Sequence, residues 1–184
     1  MKLKEQKLSF YPAEKKHQEI ILGWFKKKYV NEFFYGEGLE RTIKDLDLFV
    51  NGINRNEEYT FEHWIAYIGD KPFGFLMTTL IEGPHSSEDG INKWYEEGKT
   101  TILIDLLIGE EKYLGKGLAA RMIREFLLDK CSHVSKALID PEVTNKKAIH
   151  VYEKAGFKKV EHFEPKYYPV PHWMMILDMD QLRA

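Results

Sequence analysis

The chain has 184 residues, 43% hydrophobic and 30% charged, with 27 Lys and Arg against 29 Asp and Glu and a net charge of −2. That length and balance describe one globular domain with a full core, and they exclude nucleic acid as the main partner, because no basic excess is available to neutralise phosphates. No apolar run approaches the ~20 residues of a membrane span, the lysine-rich start lacks an apolar signal core, and a lone cysteine, Cys131, rules out an internal disulfide and fits a reducing cytoplasm.

Leu8-Ser-Phe-Tyr11 reads as a first strand, stopped by Pro12. A helix follows from Ala13, with His17, Ile20, Ile21, Trp24, Phe25 and Lys28 on one stripe. Residues 31–38 make a loop crowded with Phe33, Phe34 and Tyr35, rings that either close the core between helices or wall a cleft. A second helix runs from about Leu39, carried by Ile43, Leu46 and Val50. Strands over 61–68 and 71–81 are joined by Gly69-Asp70, a hairpin signal, and Gly74 marks a bulge or a close backbone approach. Residues 82–100 are polar and carry Glu88, Asp89, Glu96 and Glu97 around Trp94 and Tyr95. So long a stretch is either a substrate flap or a solvated acidic excursion.

The run Thr101-Ile-Leu-Ile-Asp-Leu-Leu-Ile108 is a buried strand with one carboxylate, Asp105, set among apolar neighbours. A buried carboxylate is costly unless it is paired or opens onto a polar cavity. Leu114-Gly-Lys-Gly-Leu118 then hands the strand over to a helix marked by Leu118, Met122, Ile123, Phe126 and Leu127. That junction suits a polyanion: glycines allow close approach, helix-start N–H groups point outward, and Lys112 and Lys116 add cations. A strand over Lys136–Ile139 leads to Asp140-Pro141 and to Asn145, a helix N-cap candidate. The next helix carries Ala148, Tyr152 and Ala155 on one stripe. A strand to about Phe163, a Pro/Tyr-rich turn over 164–171 and a strand over His172–Asp178 complete the chain. The seven histidines show no metal-ligand spacing, so no metal is expected, and Cys131 reads as packed rather than nucleophilic.

Ile104-Asp105-Leu-Leu, the Gly-Lys-Gly loop, Asp140-Pro141, Asn145 and Tyr152-Glu-Lys-Ala-Gly-Phe157 occur in an order that resembles the GCN5-related N-acetyltransferases, a likeness extended by Trp64-Ile-Ala-Tyr-Ile-Gly-Asp-Lys-Pro-Phe-Gly-Phe75. Within that superfamily the chain is most similar to the aminoglycoside 6′-N-acetyltransferases. The resemblance implies an α/β fold over 1–184 as one domain: a mixed, mostly antiparallel sheet, splayed between the strands at 101–108 and 136–139, with helices on both faces. It implies acetyl-CoA as co-substrate, held by Leu106, Leu107 and Ile108 pairing with its pantetheine arm, by Lys112, Tyr113, Leu114, Gly115, Lys116, Gly117 and Leu118 around its pyrophosphate, and by Asn145. Lys112 stands where the superfamily commonly has Arg or Gln, keeping the charge without the planar fork. Asp105 and Tyr152 are the implied catalytic residues, the first holding the amine and helping to remove its proton, the second protonating the departing thiolate or packing the core. A phenol of pKa ~10 suits that donor role only with hydrogen-bond help. Asp89, Trp94, Asp105, Asp140 and Tyr35 are the implied contacts to a small cationic amine. The expected reaction is acetyl transfer to an aminoglycoside 6′-amine by direct attack, in a monomer or homodimer. Its rivals are another cationic acceptor, such as a lysine-derived hydroxylamine, and a CoA-binding module without turnover.

Overall fold

The computed structural model describes residues 2–83 and 90–184. One sheet contains β1 (Leu8–Pro12), β2 (Phe61–Ile68), β3 (Lys71–Leu80), β4 (Thr101–Ile108), β5 (Lys136–Ile139), β6 (Lys158–Phe163) and β7 (His172–Asp178), in the order β1-β2-β3-β4-β5-β7-β6. Neighbours are antiparallel except β4 and β5, which run parallel. The α-helices among the described residues are α1 (Lys15–Phe25), α2 (Lys28–Asn31), α3 (Gly36–Val50), α4 (Leu118–Lys130), α5 (Lys146–Ala155) and α6 (Met179–Arg183).

Strand alternation sorts side chains between two faces. On one face Ile102, Ile104, Leu106 and Ile108 of β4 pack with Met122, Phe126 and Leu127 of α4 and Ile149 of α5. On the other, Ile65, Phe75, Met77 and Leu107 pack with Ile21, Trp24 and Phe25 of α1 and Leu46 of α3. Helix α4 buries Leu118, Met122, Ile123, Phe126 and Leu127. At about 1.5–3 kcal/mol each, these outweigh the roughly 1 kcal/mol of the side-chain cap that Gly117 does not supply. Packing, not capping, therefore fixes this helix.

The sheet opens in its middle. Strands β4 and β5 pair only at Thr101↔Lys136, Ile102↔Ala137 and Leu103↔Leu138. β5 ends at Ile139, and Pro141, lacking an N–H, cannot prolong the ladder. The β5-facing edge of β4 from Ile104 to Ile108 is thus left without a strand partner among the described residues, while its other edge stays bonded to β3.

Several boundaries differ from the sequence reading, each for a local reason. Helix α1 starts at Lys15 because Glu14 and His17 form a reciprocal capping box, the His17 ring accepting from the Glu14 N–H at 3.0 Å. Its buried stripe ends at Phe25, and Lys28 is exposed at the start of a separate turn, α2. Helix α3 begins at Gly36 rather than Leu39, with Tyr35 at its N-cap, and Ile43 points outward. Opposite Gly74 the β2–β3 register does slip, and a Cβ there would press on Met122 Sδ at 2.8 Å.

Gly109, directly after β4, is held against α1: a Cβ there would enter the Trp24 ring, and the Gly109 carbonyl accepts from Lys27 Nζ and Tyr29 Oη, both at 2.7 Å. Gly109→Ala should cost about 1–3 kcal/mol through overpacking. Chemical denaturation should move the midpoint down at unchanged slope; an unchanged midpoint would refute the packing account.

Candidate active site

Beneath α3 lies a cavity of about 590 Å³. Its floor is two cross-strand rows: His63, Met77 and Asp105, in register across β2, β3 and β4, beside Phe61, Thr79 and Leu103. Gly38, Arg41, Thr42 and Asp45 of α3, three or four residues apart on one helix face, form a wall. The turn after β6, with Tyr167 and Tyr168, closes another side.

Asp105 belongs to the face of β4 opposite Ile104 and Leu106, so it opens onto this cavity rather than lying inside the core. Burial first, then the charge of Asp140, push its carboxyl up to about 7, although His172 and the Leu106 backbone favour the ion. Asp140, at the end of β5, is hydrogen-bonded to His172 Nδ1 at 3.0 Å, with both side chains nearly buried. They meet because the chain beyond β5 keeps step with the start of β7: Trp173 N donates to Pro141 O at 2.9 Å, and Glu142 bridges to His172. Burial opposes charge on His172, but the hydrogen bond to Asp140 and the charges of Asp140, Asp105 and Glu142 prevail and raise its pKa. The contact with His172 Nδ1 fixes the Asp140 side chain in place beside Asp105.

The glycine loop lies at the open end of the splay. Gly115 and Gly117 have φ of +67° and +74°, with nothing within 4 Å of the space a Cβ would fill. The N–H groups of Gly115, Lys116 and Gly117 donate to no carbonyl among the described residues. Free donors at a helix start form an anion cradle, and the unpartnered edge of β4 offers amide pairing to an extended, amide-bearing chain. A CoA pyrophosphate and pantetheine arm fit that combination. Tyr152 approaches from α5, on the opposite face of the sheet from Asp105. Burial, then the charges of Asp105 and Asp140, push its hydroxyl pKa up, so it stays a neutral donor at any working pH.

A family model described as an acetyltransferase (GNAT) domain matches residues 13–165. The chain belongs to the GNAT acetyltransferases. It is 30% identical over 145 residues to an aminoglycoside N(6′)-acetyltransferase type 1 of Klebsiella pneumoniae, covering 76% of this chain and 68% of that protein. The crystal structure of an aminoglycoside N(6′)-acetyltransferase from Legionella pneumophila superposes with a TM-score of 0.82 at 37% identity, covering 97% of this chain and 96% of that one. AAC(6′)-Ib in complex with ribostamycin and coenzyme A shares the fold at 22% identity, with a TM-score of 0.76 over 96% of each chain.

Other structures of AAC(6′)-Ib, 22% identical to this chain, are complexes with acetyl-CoA or coenzyme A. Leu106, Leu107, Ile108 and Leu118 have buried side chains, and the Tyr113 ring packs on Phe73, so these residues have only backbone to offer the cofactor. Lys112 lies over the Tyr113 ring, and Leu114 is exposed. Asn145 caps α5, its side chain accepting from Ala148 N at 3.2 Å. On the acceptor side, Asp105 and Asp140 share the cavity. Tyr35 stands behind it, edge-on to Tyr168 at 5.2 Å. Trp94 ends a short turn whose Gly90, Ile91 and Asn92 line the cavity, but its own ring packs with Ile81, Leu138 and Met174. Asp89 lies outside the described residues. In the expected flap, Glu96 is tied to Lys136 and Lys99 rather than presented to a substrate.

Sequence reasoning missed His172, Tyr168, Asp45 and His63. For His172 a faint signal existed: a histidine opening an otherwise apolar strand beside Pro171. The others lay in segments read only for their apolar positions or their turns.

No helix among the described residues is long and apolar enough to cross a membrane.

Proposed function

We propose that this enzyme transfers acetyl from acetyl-CoA to a primary amine of a cationic acceptor, the 6′-amine of an aminoglycoside, by direct attack. The observation that carries this reading is Asp105 itself: a carboxylate on the floor of a cavity that also holds Asp45 and Asp140, one strand edge away from the glycine loop. The Klebsiella and Legionella relatives, both named for aminoglycoside N(6′)-acetylation, support the acceptor class.

When bound, acetyl-CoA supplies the activated thioester. Asp105 holds the acceptor ammonium and receives its proton, which a carboxyl raised towards neutral pH does better than an ordinary aspartate. Asp140, held by His172, adds negative charge beside the amine. As the amine nitrogen bonds to the acetyl carbon and the C–S bond breaks, the second proton of the nitrogen passes to the departing thiolate, whose sulfur Tyr152 stabilises by donating a hydrogen bond.

The test is CoA thiol release across aminoglycosides, linear polyamines and neutral amines at two salt concentrations. Aminoglycosides should be turned over with the highest kcat/KM, and their KM should rise with salt, because partly exposed ion pairs are screened within about 8–10 Å. A neutral or hydroxylamine acceptor with higher kcat/KM would overturn the proposal.

A further inference from the structure

The α3 side of the cavity holds a second set of polar groups that the transfer chemistry does not use. Asp45 is buried, 6% exposed, and lines the cavity. Tyr59 Oη donates to it at 2.6 Å and Asn56 Nδ2 at 3.0 Å, so the carboxylate is rigidly held. Neither donor carries a charge, and no ion pair to Asp45 forms among the described residues. Of the cations that share the cavity, Arg41 and Lys166 both pair with Glu58, and Arg41 lies over the Tyr167 ring at 4.2 Å, its buried Nε without a hydrogen-bond partner among the described residues. A buried carboxylate held only by neutral donors is costly unless a ligand provides a cation.

His63 supplies the second, independent observation. It is 3% exposed, lines the same cavity, and its ring makes no hydrogen bond among the described residues, Nδ1 being buried without a partner. Phe49, Phe61 and Phe75 surround its ring at 5.2–5.6 Å, and burial among them drops its pKa to about 3, keeping it neutral. An imidazole with no ring partner, on the floor of a polar cavity, is set to meet a ligand's hydroxyl or ammonium. Register places it: His63 pairs with Met77, and Met77 with Asp105. His63 is therefore two strand spacings, about 10 Å, from Asp105. Phe49, one helical turn beyond Asp45 on α3, rests on the His63 ring, which brings the two polar groups to one end of the cavity.

We infer that Asp45 and His63 form a distal subsite for a second ammonium and its neighbouring hydroxyl, about 10 Å from the amine that is acetylated. The acceptor is then an oligocation spanning at least two such groups, not a monoamine. The inference rests on the cavity being the acceptor site.

Calorimetric titration of the CoA-bound enzyme with kanamycin, and with a single-ring 6-amino-6-deoxy sugar, tests it. Asp45→Asn preserves the shape and should weaken kanamycin binding by about 10- to 100-fold, leaving the single-ring sugar and CoA unaffected. His63→Phe, which matches its aromatic neighbours, should weaken kanamycin binding several-fold in the same selective way and keeps the test open if Asp45→Asn does not fold. Equal binding of kanamycin by wild type and both variants, or equal loss for both sugars, would overturn the subsite. A selective loss of binding, with no acetylation of either sugar, would uphold the subsite and sink only the proposed reaction.

Discussion

Asp105→Asn should lower kcat/KM for the acceptor by about 10²–10⁴, the usual span of a positioned acid or base, while acetyl-CoA affinity stays within a factor of about two, since Asp105 faces the acceptor cavity rather than the glycine loop. The asparagine keeps the shape of the floor but removes the charge that holds the ammonium and the site that takes its proton. The pH profile sharpens the expectation. A carboxyl pushed up to about 7 by burial and by Asp140 is neutral in acid. Wild-type kcat/KM should therefore rise as pH passes upward through that value, and the asparagine variant should lose that limb. The phenol adds no opposing limb near neutral pH, because burial and the charges of Asp105 and Asp140 push its pKa above its ordinary value. Tyr152→Phe should lower kcat at every pH without changing the shape of the profile. A wild-type profile flat from weakly acidic to neutral pH would contradict the Asp105 assignment.

The second large effect belongs to the glycine loop. Gly117→Asp should abolish measurable CoA binding, and Gly117→Asn should retain most of it. Both side chains meet the same left-handed backbone, at φ +74°, which asparagine and aspartate tolerate better than other residues. The two variants differ by one negative charge within the proposed pyrophosphate cradle. Calorimetry with CoA reads that charge directly, and thermal melting checks that both variants fold. Equal affinities for the two would remove the pyrophosphate from this loop.

The parts of this molecule that were legible in the sequence are those written in local pattern. β4 and β5 have the bounds that their apolar, β-branched runs suggest, and the Gly-Lys-Gly loop stands where a strand passes to a helix. The parts that were not legible depend on pairing between distant segments. For Asp105 the sequence left open a partner or a polar cavity, and only the packing of α3 over the sheet creates the cavity onto which strand alternation turns it. His172 lies 32 residues from Asp140, and only the run-on pairing after β5 brings them together. On α3, Leu46 marks the buried face as expected, but Asp45 beside it is also buried, because Tyr59 and Asn56 supply the hydrogen bonds that make burial tolerable. A carboxylate of that kind is indistinguishable by sequence from the solvated acids that surround it.

The central claim, acetyl transfer to a cationic amine held at Asp105, is tested most directly by the product. Kanamycin incubated with acetyl-CoA and enzyme should release one thiol per monoacetylated product, with the acetyl group located by NMR on the 6′-nitrogen. Asp105→Asn should form that product at a small fraction of the wild-type rate. Thiol release without an acetylated acceptor, or acetylation by Asp105→Asn at the wild-type rate, would contradict it.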